Sequence, residues 1–459
     1  MWAALLASVL FAAWGGPLPI AAQEPGAERM TLEEALGRAL ERNPGFRQAE
    51  RALEVNALSR RGAWLDVLPQ PQLRFLATNM NWRRQTVAED FFGNPLPNPE
   101  VTTVRTSSSS QSAGFSLSLN AQTFMNLRAQ DDETRLQELS LGVQRRALES
   151  EVKRAFLDVQ ERLTGLELEE RLLENARRNR EVARQLWRVG RRDIFDVRQA
   201  ELDVAEQESQ FDQVRSGLET ARFALGHAIG DPELREFEIV PVELTEFDPT
   251  RLDVEALVHF ARTSSPQVVQ AEGELEARRR GVNQVRAQWL PTLSFNWSTS
   301  RQGFVRGGDA FFDLNPDSDW DRTMSLSILL PDLGQYFRRD IQQAQAGIQL
   351  RNQQESVRQA RNVQEREVRI LITDLLHQHR SLGIQADRAA LAQEQLEYVV
   401  EGYRIGTRGY LELQSAATQA AQAARQELAA RYAFERAIIL LEQALGLDLE
   451  GVLEAGAGG

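Results

Sequence analysis

The sequence predicts an α+β protein in which four membrane-crossing β-strands per chain join long α-helices that pack as coiled coils. Three observations predict it. The chain is written twice, each copy contains two short segments of strand period with one apolar face, and each copy then runs into a helical stretch far longer than a globular helix. Thr31-Leu-Glu-Glu-Ala-Leu begins a helix, Asn43-Pro44 interrupts it, a second helical run follows, and Leu68-Pro69 closes it. In the second half Asp253-Val-Glu-Ala-Leu, Ser265-Pro266 and Leu290-Pro291 repeat the order, and both prolines recur after the same 222 residues.

Each copy opens on a helix start. Thr31 and Glu34 have capping-box spacing, and Asp253 is an equally good N-cap. Pro44 and Pro266 then break or kink the helix, because proline lacks the amide donor and clashes with the preceding turn. Past each closing proline the period changes to two. Leu293, Phe295 and Trp297 alternate with Ser294, Asn296 and Ser298, and Met324, Leu326 and Ile328 alternate with Ser325 and Ser327. In the first copy Phe115, Leu117 and Leu119 alternate with Ser116, Ser118 and Asn120, preceded by a less regular strand around Leu73–Ala77. Polar loops are expected between the strands of each pair, near 81–111 and 301–321. Alternation alone also fits a half-buried soluble hairpin. Serine on the second face and Trp82, Trp297 and Trp320 at the ends suit a water-filled lumen with interfacial aromatics.

The long helices follow. No proline occurs from about Gln122 to Val189, and Leu136, Leu139, Val143, Leu148, Val152, Ala155, Val159, Leu163 and Leu166 fall mostly at three-and-four spacing. That is a coiled-coil-like seam on a rod on the order of 100 Å. Residues from about Gln335 to Ile405 do the same. Gly190 and Gly406 end the rods, and shorter helices return over about Ile194–Ile229 and Tyr410–Leu445. The organisation expected is a signal segment at 1–22, a first repeat at 23–226, a linker at 227–252, a second repeat at 253–446 and a tail at 447–459. Residues 2–22 carry no charge and end in Ala21-Ala22, which reads as a cleaved export signal. The usual basic start is missing, which leaves open an upstream start codon or an ordinary apolar N-terminus.

Composition narrows the function classes. The 459 residues include no cysteine, four histidines and a formal net charge of −13. Disulfides, thiolate metal sites and cysteine nucleophiles are excluded. Lys153 is the only lysine, so phosphate-loop and Schiff-base chemistry have almost nowhere to reside. An acidic chain without a basic block argues against nucleic acid as a partner. No enzymatic constellation, cofactor or metal site is expected. His377 and His379 point about 200° apart on a helix, so they make a poor ligand pair. Four strands leave open edges that hydrocarbon does not tolerate, so the chain must oligomerise. A dimer supplies eight strands and a trimer twelve; only the larger ring encloses water, which favours three copies.

With these motifs in place the sequence resembles the TolC family of outer-membrane efflux ducts. The resemblance rests on the paired openings, the Leu-Pro junctions, Leu330-Pro331-Asp-Leu-Gly334 leaving the last strand, and above all Gly402-Tyr403-Arg-Ile-Gly406-Thr407-Arg408, with Val189-Gly190 and Asp196-Val197 as its counterpart. It implies a homotrimer with a twelve-strand barrel in outer-membrane lipid and a helical barrel crossing the periplasm, with 227–252 and the tail in a belt between. It also implies a passive exit duct of a tripartite efflux or type I secretion system, docked at its tips to a periplasmic adaptor and driven by an inner-membrane transporter. Tyr403 and Arg408 match residues that hold the entrance shut, and Asp196 matches their acceptor. Glu412 falls where the family has an aspartate ring, while Ser415 departs from a second one. The first-copy strand exit, Asn120-Ala-Gln-Thr-Phe124, also departs from the family pattern. Arg188, Val189, Gly190, Arg404, Ile405 and Gly406 are the expected tip turns and adaptor contacts. A rival expectation is a soluble periplasmic coiled-coil scaffold or pump adaptor, which would usually carry one helical hairpin rather than two. Arg408 and Asp196 also fit plain solvated charges near helix ends.

Overall fold

Capping decides where the helices begin. Thr31 accepts a hydrogen bond from the Glu34 amide at 3.2 Å, and Asp253 accepts one from the Ala256 amide at 3.1 Å. In the computed structural model, residues 28–89, 92, 94–234, 237–244, 248–306, 319–330 and 336–449 are described. The expected export signal, the Pro331–Gly334 strand exit, the segment 307–318 and most of the expected tail lie outside them.

In chain order the elements are β1 (Glu28–Met30), α1 (Leu32–Arg42), α2 (Pro44–Leu65), β2 (Gln70–Glu89), β3 (Pro95–Leu119), α3 (Ala121–Arg188), α4 (Ile194–Ile229), β4 (Phe237–Ile239), α5 (Val254–Ser264), α6 (Pro266–Ala287), β5 (Thr292–Arg306), β6 (Asp321–Leu329), α7 (Tyr336–Ile405) and α8 (Tyr410–Leu445). Helix lengths of 11, 22, 68 and 36 residues in the first half meet 11, 22, 70 and 36 in the second. Pro44 and Pro266 each begin a new helix, where the missing amide donor costs nothing. Among the described residues no helix is long and apolar enough to cross a membrane.

The chain divides into two compact units. One comprises the described parts of 1–43, 148–247 and 378–439, and is helical apart from the parallel pair β1–β4, which buries Met30 and Phe237. The other comprises 44–147, 248–377 and the chain from 440 on, and contains the four-stranded sheet.

That sheet has the order β2-β3-β5-β6 and is antiparallel throughout. Here the structure corrects most of the loop expected at 81–111 and the first six residues of the one expected at 301–321, whose residues 307–318 lie outside the described ones. β2 and β3 stay paired through Asn81↔Thr106 and Arg84↔Thr103, and β5 continues to Arg306. The serine run Ser107–Ser110 carries no apolar alternation, so it gave no strand signal, yet its backbone groups are fully committed to neighbours on both sides. One face stacks Phe115, Trp297 and Met324 on one rung and Leu119, Leu293 and Ile328 on another, with Phe115 and Trp297 rings 5.6 Å apart. The other face stacks Ser116, Asn296 and Ser325, then Ser118, Ser294 and Ser327. β2 and β6 are the two edges.

Candidate gate and channel site

The helical tip is built from two turns of the same construction. At the end of α3, the Arg191 amide bonds the Leu186 carbonyl and the Gly190 amide bonds that of Trp187, each at 2.9 Å. At the end of α7, Thr407 bonds Gly402 at 2.9 Å and Gly406 bonds Tyr403 at 3.2 Å. Both are Schellman closures, and Gly190 (φ +72°) and Gly406 (φ +91°) occupy the left-handed position that a Cβ would strain. Asp193 caps α4 through the Phe195 amide at 3.2 Å.

Behind the turns the two helical hairpins are locked by small and aromatic residues. Ala183, Val197, Ala200, Val399, Tyr403, Tyr410, Leu413 and Ala416 form one buried cluster. The alanines let the backbones approach, and the two tyrosines meet edge-on at 5.7 Å. Their hydroxyls reach across to α4. Tyr403 donates to Asp196 at 3.4 Å and Tyr410 donates to Asp203 at 2.7 Å, while Gln414 donates to the other Asp203 oxygen at 2.7 Å. Burial, reinforced by the Asp196 carboxylate, pushes the Tyr403 phenol up to about 12. Burial and the bond to Asp203 also push Tyr410 upward.

Sequence reasoning brought together Tyr403 and Asp196, and the structure places them in contact. Arg408 lies elsewhere within the chain: it donates to Glu412 at 3.2 Å, one turn along the same chain, and stacks 5.7 Å from the Tyr398 ring centroid. The cation at Asp196 is instead Arg192, at 4.0 Å, with its guanidinium 4.8 Å from the Tyr403 ring centroid and a further bond to the Arg408 carbonyl. Arg192 and Asp203 went unsingled in the sequence; a carboxylate one heptad after Asp196 and an arginine one turn before it were the available signals. Glu412 is exposed and engaged by Arg408, and Arg188, Val189, Gly190, Arg404, Ile405 and Gly406 are all exposed at the two turns. Further along the bundle Glu169, 2% exposed, accepts a forked pair of bonds from Arg425 at 2.6 and 2.8 Å. His379 packs obliquely on Phe434 with centroids 5.4 Å apart, as a core aromatic does.

Residues 257–447, most of the second repeat, match the family described as Outer membrane efflux protein. Over that segment, less than half of its length, the chain is similar to outer membrane efflux proteins. A comparison with curated proteins gives no match. Solved structures give the fold of this chain over nearly its whole length. The outer-membrane channel OprN has 18% identity and a TM-score of 0.71 over 90% of this chain and 89% of its own. CusC, described in work on folding and transmembrane channel formation, has 18% identity and a TM-score of 0.71 over 90% and 91%. The outer membrane protein VceC of Vibrio cholerae has 17% identity and a TM-score of 0.70 over 90% and 96%. All three similarities bear on the fold, an α+β chain with long helical hairpins and a four-stranded antiparallel sheet.

Proposed function

We propose that the chain is an outer-membrane efflux duct of the TolC type, three copies of which close their four-stranded sheets into one twelve-strand barrel in the outer membrane. The helical hairpins continue it as a periplasmic duct that conducts substrate passively. The observation that carries this reading is the sheet itself: one face bears an apolar ladder, the other is polar and rich in serine, and among the described residues β2 and β6 each have one edge without a partner strand. An open edge in hydrocarbon costs several kcal/mol for each unsatisfied group, and pairing β6 with β2 of the next copy removes it. A soluble scaffold or pump adaptor has no use for such a ladder; Leu73, Met324, Leu326 and Ile328 would stand in water.

At the tip, Tyr403–Asp196 and Tyr410–Asp203 hold the second hairpin against the first, and their release opens the entrance. Arg408 and Glu412 are a poised pair: Arg408 exchanges Glu412 for a carboxylate of the next copy as the gate closes, and Glu412 joins a ring of three carboxylates when released. Val189, Ile405 and their flanking Arg188 and Arg404 meet the periplasmic adaptor, with an inner-membrane transporter supplying the work. Planar-bilayer recording tests the duct. Purified trimers should give discrete conductance steps; a protein that stays monomeric without detergent and never conducts would refute it.

A further inference from the structure

We propose that the lipid-side face of the barrel carries a site for the phosphate groups of an anionic outer-leaflet lipid, held by Arg301 and Arg322 between Trp297 and Trp320. The inference rests on the barrel reading and deepens it.

The register assigns the paired strand residues to faces, apart from the irregularities at Arg74/Ala77 and Val87/Glu89. From Leu119 out to the Arg84↔Thr103 rung, the charged residues on the apolar side are Arg84, Arg105, Arg301 and Arg322, all cationic, whereas the serine side mixes Arg74 and Arg83 with Asp321, which pairs with Ser300. These arginines begin where the apolar ladder stops. Trp297 and Met324 share a rung, and Thr299 and Arg322 share the next rung on that side. From Leu293 to Thr299 the strand rises about 20 Å, or about 15 Å along the membrane normal at a ~40° tilt. An outward arginine is costly at mid-bilayer and nearly neutral at the interface, so its first appearance marks the headgroup level. Tryptophan occupies the same level by its own preference.

Arg301 is positioned rather than loose. Its Nε donates to Gln111 at 2.8 Å, Gln111 is 8% exposed, and the guanidinium lies 5.1 Å from the Trp320 ring centroid. Arg322 on the adjacent strand is exposed and has no carboxylate partner among the described residues. Arginines on neighbouring strands suit a phosphate monoester by charge and by their capacity for forked hydrogen bonds. The first hairpin repeats the pairing, with Trp82 directly opposite Arg105. A free phosphate needs no apolar neighbour, but here the cations sit directly above Met324, Leu326 and Ile328, each more than two-thirds exposed. The ligand is therefore an amphiphile, its phosphate on the arginines and its acyl chains along that ladder.

The test uses the full-length trimer in neutral detergent, with lipid A, its dephosphorylated form and inorganic phosphate as probes, read by thermophoresis or native mass spectrometry. Lipid A should bind roughly thirtyfold more tightly than its dephosphorylated form, about fivefold for each arginine. Arg301→Gln with Arg322→Gln should erase that preference, and lysine at both positions should keep most of it. Equal binding of the two lipids, an unaltered preference in the glutamine variant, or displacement by millimolar inorganic phosphate would overturn the site. Conductance in neutral phosphatidylcholine bilayers separates the two readings. Channels from wild type and variant leave the duct standing whatever the lipid result, and a wild type that forms none overturns the duct and the lipid site together.

Discussion

Removing the Tyr410 hydroxyl should open the duct more than removing that of Tyr403. Tyr410 donates at 2.7 Å to a carboxylate that Gln414 also orients, whereas the Tyr403 bond to Asp196 is 3.4 Å long. A short hydrogen bond to a charged acceptor contributes ~1.5–3 kcal/mol net, and one at the long edge of the range ~0.5 kcal/mol. Three symmetric copies opening together multiply these to ~4.5–9 and ~1.5 kcal/mol. The ratio of open to closed channels should then rise about a thousandfold or more for Tyr410→Phe and about tenfold for Tyr403→Phe. Single-channel recording at neutral pH reads both as open probability, with unchanged trimer yield as the control. An unaffected Tyr410→Phe channel, or a larger effect from Tyr403→Phe, would refute the assignment of the tighter latch to Asp203.

Three further outcomes follow from the same geometry. The Tyr403 phenol is pushed up to about 12 from an ordinary 10.0, so its contribution to the closed tip is complete below about pH 10 and is lost as pH climbs through 12; ultraviolet titration should show late-ionising tyrosines, Tyr410 and Tyr432 among them, and one fewer in Tyr403→Phe. Arg425→Met takes the cation from Glu169, 2% exposed, leaving it the Gln207 amide, and should cost ~3 kcal/mol or more, whereas Glu169→Gln leaves an arginine that already reaches water and should cost ~2 kcal/mol; thermal unfolding in detergent measures the asymmetry, and equal losses would contradict it. Glu412→Gln should weaken cation preference in reversal-potential measurements; an unchanged preference would show that this carboxylate stays with Arg408.

Much of this architecture could be read from residue patterns. The two N-caps, the two prolines and the glycines at both tips gave the helix order, and the long helices begin and end within a residue of expectation. The reason is local: caps, proline and left-handed glycine act over a single turn, so their signal survives without tertiary context. The strands were legible only where apolar and polar residues alternate. Ser107–Ser110 and Trp82–Arg84 lie in strands held by cross-strand pairing, and a run of small polar residues carries no period to reveal it. The site divided the same way. Tyr403 and Asp196 were found through a short motif, but Asp203 and Arg192 depend on how two helices 207 and 216 residues apart in sequence are packed, which no local pattern reports. Glu169 was hidden for the same reason, its arginine being 256 residues away.

The central claim is that the open edge of β6 pairs with the open edge of β2 on the next copy. The natural absence of cysteine makes it directly testable, because a cysteine in β6 combined with one in β2, scanned along matching faces, introduces the only thiols in the chain. Oxidation in outer membranes should give covalent dimers and closed trimers at one register and its neighbours of like parity. Monomers alone at every register would contradict the account.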